Sequence, residues 1–400
     1  MPGYEVIGEE EKKEVMEVLS RKVLFRYGFD DQRQGVFKVK AFEKEFADYC
    51  GVKHALAVSS GTAALRVALA ALGISPGDEI ITQGFTFVAT WETILDAGAI
   101  PVFAEIDETL CLDPVDMENR ITPRTKAILP VHMCGSMARI EEIVEVATKH
   151  GVPVIEDTAQ SCGGKWNGKA LGAFGKIGIF SFDSVKTMTT GEGGMVITDD
   201  EALYRNASEY HDHGHDHNPA VPRGLEKRRF LGVNYRMMEL QGALGLAQLR
   251  KLDTVILPRQ RENKARIREA LARIDQVAFR DLPDPEGDTA TFLTFLLPTR
   301  DKAAAFNKAL TEQGAGAISW YENTWHYYEQ WEHLLEGKSL TRTGHPFRNE
   351  QGDPRCRYKR EDLPKTADLV SRTLSFAINV YMDDQIPKIV RAVEKAGSAL

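Results

Sequence analysis

The chain has 400 residues, 43% of them apolar and 27% charged, with a formal net charge of −8. That length exceeds what one hydrophobic core organises, so two packed lobes are expected, and the balance of residues excludes a wholly disordered chain. An acidic surface without a long Lys/Arg run argues against nucleic-acid binding, and no stretch approaches the ~20 apolar residues of a membrane-spanning helix. The opening Met1-Pro2-Gly3-Tyr4-Glu5-Val6 shows no basic and then apolar leader. Cys50, Cys111, Cys134, Cys162 and Cys356 are odd in number, scattered and without a CxxC pair. Reduced thiols and a cytoplasmic location are therefore expected, and no structural zinc site.

In chain order, Ala55-Leu56-Ala57-Val58 reads as a strand, and residues 61–71 carry Ala and Leu at helical spacing. Residues 79–82 read as the next strand, followed by a helix near 90–97. Residues 101–106 and 127–131 suggest further strands, and residues 140–150 an amphipathic helix with Ile140, Ile143, Val144, Val146 and Ala147 on its apolar side. Residues 152–155 and 178–182 are short buried strands. Such alternation predicts a mostly parallel sheet covered on both faces by helices, with ligands at the strands' C-terminal ends.

After about residue 250 the pattern changes. Residues 249–272 read as one long charged helix that Pro258 kinks or breaks. Residues 292–297 suggest a strand, 302–313 a helix, 385–395 a closing helix, and the aromatic stretch 320–354 loops. The predicted division is a large α/β domain over residues 1–250, with an N-terminal arm, and a smaller α+β domain over 251–400.

Three segments carry chemistry where strands end. Ser59-Ser60-Gly61-Thr62-Ala63-Ala64 follows a strand and opens a helix; small residues and free N–H groups there suit a phosphate, although an ordinary N-cap has the same look. Val154-Ile155-Glu156-Asp157 ends an apolar strand on a carboxylate, which is costly to bury without a cation such as a protonated pyridine nitrogen. A capping Asp at a turn is the alternative. Phe180-Ser181-Phe182-Asp183-Ser184-Val185-Lys186, followed by the Gly-rich turn 190–194, places an amine after a buried strand. Desolvation there would free it for Schiff-base chemistry. A surface lysine is the competing account.

As a set, with Thr86-Phe87-Val88-Ala89-Thr90, Glu156-Asp157-Thr158-Ala159-Gln160, Thr190-Gly191-Glu192-Gly193-Gly194 and Asn234-Tyr235-Arg236-Met237, these segments resemble the DegT/DnrJ/EryC1/StrS sugar aminotransferases. The likeness runs from about residue 42 to 253. It implies a pyridoxal-phosphate (PLP) enzyme of fold type I, with an aspartate-aminotransferase-like large domain and the smaller α+β C-terminal domain. Carried over, Lys186 holds PLP as a Schiff base and then shuttles the proton. Asp157 pairs with the pyridinium nitrogen, Gln160 bonds the ring hydroxyl, and Phe87 stacks on the ring. Gly61, Thr62 and Ser181 hold the phosphate. Asn234 reaches the phosphate of a neighbouring subunit, which implies a homodimer with shared active sites. Family members that dehydrate sugars have His where this chain has Lys186, so amino transfer is expected, from L-glutamate or L-glutamine to a keto-sugar.

Arg26-Tyr27-Gly28-Phe29-Asp30 and Asp212-His213-Gly214-His215 are also similar to a branch acting on C8 of the eight-carbon sugar Kdo (8-oxo-Kdo), for lipopolysaccharide. A nucleotide-linked 3-keto or 4-keto hexose is the other acceptor class, and a PLP-dependent sugar dehydratase the other reaction. Arg26, Tyr27, His213, His215, Trp325 and His326 are the candidate substrate contacts. The tract 211–217 also suits a metal or a solvated loop, and the aromatic cluster 320–333 suits either a sugar pocket or the core of the small domain.

Overall fold

The computed structural model describes residues 3–222, 224–347 and 356–397; the predicted loop residues 348–354 lie outside them. Seven strands build the main sheet: β1 (His54–Val58), β2 (Glu79–Gln83), β3 (Ile100–Ala104), β4 (Thr125–Ile128), β5 (Ile155–Asp157), β6 (Ile177–Ser181) and β7 (Gly194–Thr198). Hydrogen-bonded neighbours run β3-β2-β4 and β5-β6-β7-β1, and parallel bridges Ile128–Val154 and Val131–Asp157 join the two groups. Only β7 runs against its neighbours, so the sheet is mostly parallel as the alternation predicts.

The helices that position the site are α1 (Glu9–Arg21), α2 (Lys38–Cys50), α3 (Gly61–Ala71), α4 (Val88–Asp96), α5 (Ile140–Lys149), α6 (Glu201–Tyr210) and α7 (Glu239–Lys251). Helix α3 buries Ala63, Ala64, Leu65, Val67, Ala68, Leu69 and Ala71. Its small residues let the backbone come close to the sheet. On the other face Phe46 of α2 packs edge-on against Phe180 and Phe182 and Phe42 packs tilted against Phe182, all nearly inaccessible. Each such ring stabilises the packing by about 1.5–3 kcal/mol.

The charged helical stretch expected over 249–272, with a kink or break at Pro258, is broken into two helices. Helix α7 ends at Lys251, a π-helical turn spans Leu252–Ile256, and α8 runs Leu257–Leu271. Pro258 cannot donate to the preceding turn, and its ring would crowd a carbonyl four residues back, so the backbone widens just ahead of it.

A second sheet, β8 (Ala278–Phe279), β9 (Phe292–Leu296), β10 (Ile318–Ser319) and β11 (Thr373–Ala377), is antiparallel in the order β8-β9-β11-β10. With α8, α9 (Arg300–Glu312) and α10 (Ile386–Gly397) it encloses its own core around Phe295, Phe306 and Phe376. The aromatic stretch does not belong to that core. Trp320, Tyr327, Tyr328, Trp331 and Leu334 pack with the core of the main sheet, together with Leu363, Leu369 and Val370. Their sequence position suggested the later domain, but the main sheet's edge at Phe85 and Phe103 is where the apolar surface lies. Strands β7, β8, β10 and β11 and helices α1, α2, α6 and α7 are elements the sequence pattern did not single out.

Candidate active site

The C-terminal ends of β1, β5 and β6 and the turns after β2 and β4 meet at a cavity of about 320 Å3. Its lining includes Gly61, Thr62, Phe87, Asp157, Gln160, Ser181 and Lys186, residues drawn from segments more than a hundred positions apart.

The main chain of Asp157 is fixed to the segment that follows β4. Its N–H donates to the Pro130 carbonyl (2.9 Å), and its own carbonyl accepts from the His132 N–H (3.0 Å). The carboxylate accepts from the Ala159 N–H (3.1 Å) at Oδ1 and from the Thr90 hydroxyl (3.0 Å) at Oδ2. Burial pushes the carboxyl above its ordinary range, against those hydrogen bonds and the positive charge of Lys186. Beneath it, buried Glu156 accepts N–H groups from Gly172, Phe174 and Gly175. His132 Nδ1 accepts from the Ala138 N–H (3.1 Å), so its Nε2 carries the hydrogen donated to Glu156 (3.1 Å). Asp157 therefore stands on a fully bonded platform.

Thr90 is a site residue that sequence reasoning missed. The available signal was two hydroxyls at i and i+4 around the start of α4: Thr86 and Thr90 lie 2.9 Å apart, and the second reaches Asp157. Gln160 Oε1 accepts from the Cys134 N–H (3.0 Å), which leaves the amide NH2 as the group available to the cavity.

The anion end is the first turn of α3. Ser60 caps it by accepting from the Ala63 N–H (3.0 Å). A Cβ placed on Gly61 would stand 2.7 Å from the Ser181 Cβ, so only glycine lets these two turns close into one cradle. Free N–H groups at a helix start, two hydroxyls and no room for a side chain fit a phosphate.

Lys186 closes a turn by donating its N–H to the Asp183 carbonyl (3.0 Å), and its Nζ lies 5.9 Å from the centroid of the Phe87 ring. Burial holds the amine below its ordinary range, while Asp157 and Asp183 oppose the shift. Asp183 and Glu192, for which no role was expected, also line the cavity. An amine of lowered basicity, a carboxylate awaiting a cation, a free amide and an anion cradle fit pyridoxal phosphate at its amine-reactive carbon, ring nitrogen, ring hydroxyl and phosphate.

The wall opposite comes from residues 325–328. Thr86 N–H donates to the His326 carbonyl (3.0 Å), Val88 N–H to the Trp325 carbonyl (2.9 Å) and Tyr328 N–H to the Gly84 carbonyl (2.9 Å). Trp325 and His326 flank Phe87 at 5.6 and 5.3 Å between centroids. Trp325 is 61% exposed while Trp331 is fully buried, so the aromatic cluster divides between pocket and core. Burial lowers the His326 imidazole to about 4. It is neutral near pH 7, and its Nδ1 donates to Asn323 Oδ1, which also accepts the Trp325 N–H.

Arg26, Tyr27, His213, His215 and Asn234 do not line this cavity. Arg26 is committed to Glu43 (2.6 Å) and the Ala57 carbonyl (2.8 Å). Tyr27 stacks on His217 (4.3 Å) and contacts His211 Nε2 (3.2 Å). His215 contacts Glu226 and Arg228, and His213 and Asn234 are exposed. Among the described residues no group of three His, Cys, Asp or Glu side chains is arranged to hold a metal ion, and no helix is long and apolar enough to cross a membrane.

Residues 5–350 match the model of the DegT/DnrJ/EryC1/StrS aminotransferase family. The chain is 35% identical to the spore coat polysaccharide biosynthesis protein SpsC of Bacillus subtilis, over 97% of this chain and 94% of that one. It is 44% identical to GDP-perosamine synthase of Caulobacter vibrioides over 225 residues, 55% of this chain. That match spans only 58% of the synthase's length. Among solved structures, S. venezuelae DesV, in complex with a ketimine intermediate, superposes with a TM-score of 0.79 at 27% identity, covering 98% of this chain and 95% of that one.

Proposed function

Because the chain belongs to the DegT/DnrJ/EryC1/StrS aminotransferase family, we propose that it moves an amino group from L-glutamate or L-glutamine to the carbonyl carbon of a sugar, with Lys186 as the residue that carries pyridoxal phosphate. The carrying observation is the juxtaposition of Lys186 with Asp157 and the Gly61–Ser181 cradle in one cavity. Bound there, the cofactor supplies an electron sink for the amino-bearing carbon. Asp157, held by Thr90 and the Ala159 N–H, keeps the ring nitrogen protonated. Lys186, with its basicity lowered, would take the proton from the amino-bearing carbon of the donor and deliver it to the cofactor, and run the same transfer in reverse for the sugar. Phe87 would cover one face of the bound ring and exclude water from it, with Trp325 beside it towards the acceptor.

The names of relatives support an amino-sugar product, GDP-perosamine in one case. Of the acceptor classes, 8-oxo-Kdo is supported by the likeness in residues 26–30 and 212–215, and a nucleotide-linked 3-keto or 4-keto hexose by the perosamine synthase. Either acceptor is anionic, yet Lys186 is the only Lys or Arg lining the described cavity. The anionic end of the acceptor is thus held outside it. In the homodimer we propose, the partner's exposed Asn234 meets the cofactor phosphate and its 211–217 loop meets that end of the sugar.

The test is the absorption spectrum of the purified protein with pyridoxal phosphate, then with L-glutamate or L-glutamine, and Lys186→Ala as control. A visible band that the donor abolishes and one keto-sugar restores supports the proposal and names the acceptor. Loss of Lys186 should slow turnover by about 10²–10⁴-fold or more. A protein that takes up no chromophore sinks the proposal. A band indifferent to both donors, with keto-sugar consumed, favours the dehydratase.

A further inference from the structure

The loop that carries Lys186 is held on its outer side by a segment to which no motif drew attention. Gly3 N–H donates to the Lys186 carbonyl (2.9 Å). A Cβ built on Gly3 would lie 2.7 Å from Met188 Cα and 2.7 Å from the Thr189 nitrogen, so the two backbones are in direct contact. Two residues on, the Glu5 carboxylate accepts the N–H groups of Val380 (2.9 Å) and Tyr381 (3.2 Å), which follow β11 of the second sheet. That turn is anchored in turn to α8, where Gln260 donates to the Ile378 carbonyl and Asn263 to those of Asn379 and Val380.

A second link comes from α1. Buried Glu11 accepts from Gln248 Nε2 (2.9 Å) and from Lys251 (2.7 Å), and Gln248 Oε1 accepts the Thr189 N–H (3.3 Å). Glu11, Gln248 and Thr189 are 1%, 0% and 3% exposed. Thr189 then passes the restraint on: its hydroxyl donates to the Phe182 carbonyl (3.2 Å) and accepts the Gly191 N–H (2.9 Å). The lysine loop is thus pinned at residue 186 and again at 189, and both pins lead to the first eleven residues.

We propose that Gly3, Glu5, Glu11 and Gln248 form a positioning strap for Lys186, which sets where its amine stands over the cavity and ties that position to the second sheet. The strap touches neither cofactor nor substrate. It rests on Lys186 being the cofactor-bearing residue proposed above. An amine that must reach one carbon on one face tolerates little displacement, since about 1 Å of misplacement can cost ~100-fold in rate. Ser184 and Val185 before Lys186 are exposed, whereas Thr187 and Met188 after it are buried, so the strap acts on the loop together with the packing of Met188 in the core.

The experiment compares Gly3→Ala, Gln248→Leu, Glu5→Ala and Glu5→Gln in the cofactor-loaded enzyme. The readouts are the pH midpoint of the lysine–cofactor absorption band, kcat, KM for donor and acceptor, and the thermal midpoint. Gly3→Ala, Gln248→Leu and Glu5→Ala should each shift the band's midpoint by about half a pH unit and lower kcat about tenfold, while KM stays within about twofold. Glu5→Gln keeps an acceptor oxygen for Val380 and Tyr381 and should restore most of what Glu5→Ala loses. A wild-type midpoint and kcat in all the folded variants would overturn the strap. If Gly3→Ala or Gln248→Leu fails to fold, the Glu5 pair decides alone, because a loss in Glu5→Ala that Glu5→Gln does not rescue also counts against it. A wild-type enzyme whose spectrum matches that of Lys186→Ala would instead remove the Lys186 proposal, and the strap with it.

Discussion

On the floor of the cavity Asp157 and Gln160 are held by hydrogen bonds from helix α4 and from the turns after β4 and β5, whereas the wall of Trp325 and His326 hangs on three main-chain hydrogen bonds from a loop. Asp157 has its N–H, carbonyl and both carboxylate oxygens engaged before any ligand arrives. Trp325 keeps 61% of its surface open. The difference separates two tasks. A floor that cannot relax keeps charge preorganised for one chemistry, and a wall with spare surface can be re-cut for different sugars without disturbing it.

The sharpest way to break that separation is Asp157→Asn. Truncating one member of a buried charge pair costs about 2–5 kcal/mol, so cofactor affinity should fall by at least ~30-fold in a titration followed by absorbance. The cofactor-free protein should respond in the opposite sense. Burial raises the Asp157 pKa, so the folded state holds its proton more tightly than the unfolded chain does. Its ionisation then costs stability as pH rises from the ordinary carboxylate range through the raised value. Cofactor-free Asp157→Asn should therefore have the higher melting temperature near pH 7, with the gain vanishing as pH falls towards 4. A variant that is less stable at pH 7 and unaltered in cofactor binding would make Asp157 a structural residue.

Thr90→Val is the next smaller step. It removes one hydrogen bond to a charged group, about 1.5–3 kcal/mol, and should weaken cofactor binding about tenfold while leaving the KM of the acceptor sugar alone. Trp325→Ala should do the reverse: an acceptor KM raised about fivefold, from about 1 kcal/mol of lost aromatic contact, with an unmoved absorption band. If Trp325→Ala bleached the band, wall and floor would be one unit.

The floor was legible in the sequence because its residues sit in short stretches where apolar strands end. Asp157 and Lys186 stand out there as charges at strand ends. Thr90 was missed because its one signal, the paired hydroxyls at 86 and 90, points to a site only once its partner, 67 positions away, is known. Strand β7 was missed because only Met195, Val196 and Ile197 separate a glycine turn from polar residues. The aromatic stretch could not be divided by composition. Whether a tryptophan faces solvent, like Trp325, or is sealed, like Trp331, depends on the edge of β3 against which Trp331 packs. For Arg26, Tyr27, His213, His215 and Asn234 the sequence gives residue types and this cavity gives no contacts; their proposed part depends on a second copy.

The pairing of β1 with β7 has a consequence for how the molecule is made. His54 lies beside Thr198 and Val58 beside Gly194, so the turn that leads into Gly61 has no fixed neighbour until almost half the chain has left the ribosome. At ~5–20 residues per second that is a wait of many seconds, with α2 and α3 exposing apolar faces meanwhile. Such distant pairing also slows folding once the chain is free. Shortage of chaperone should therefore lower the yield of this protein before it lowers the yield of one whose neighbouring strands are consecutive.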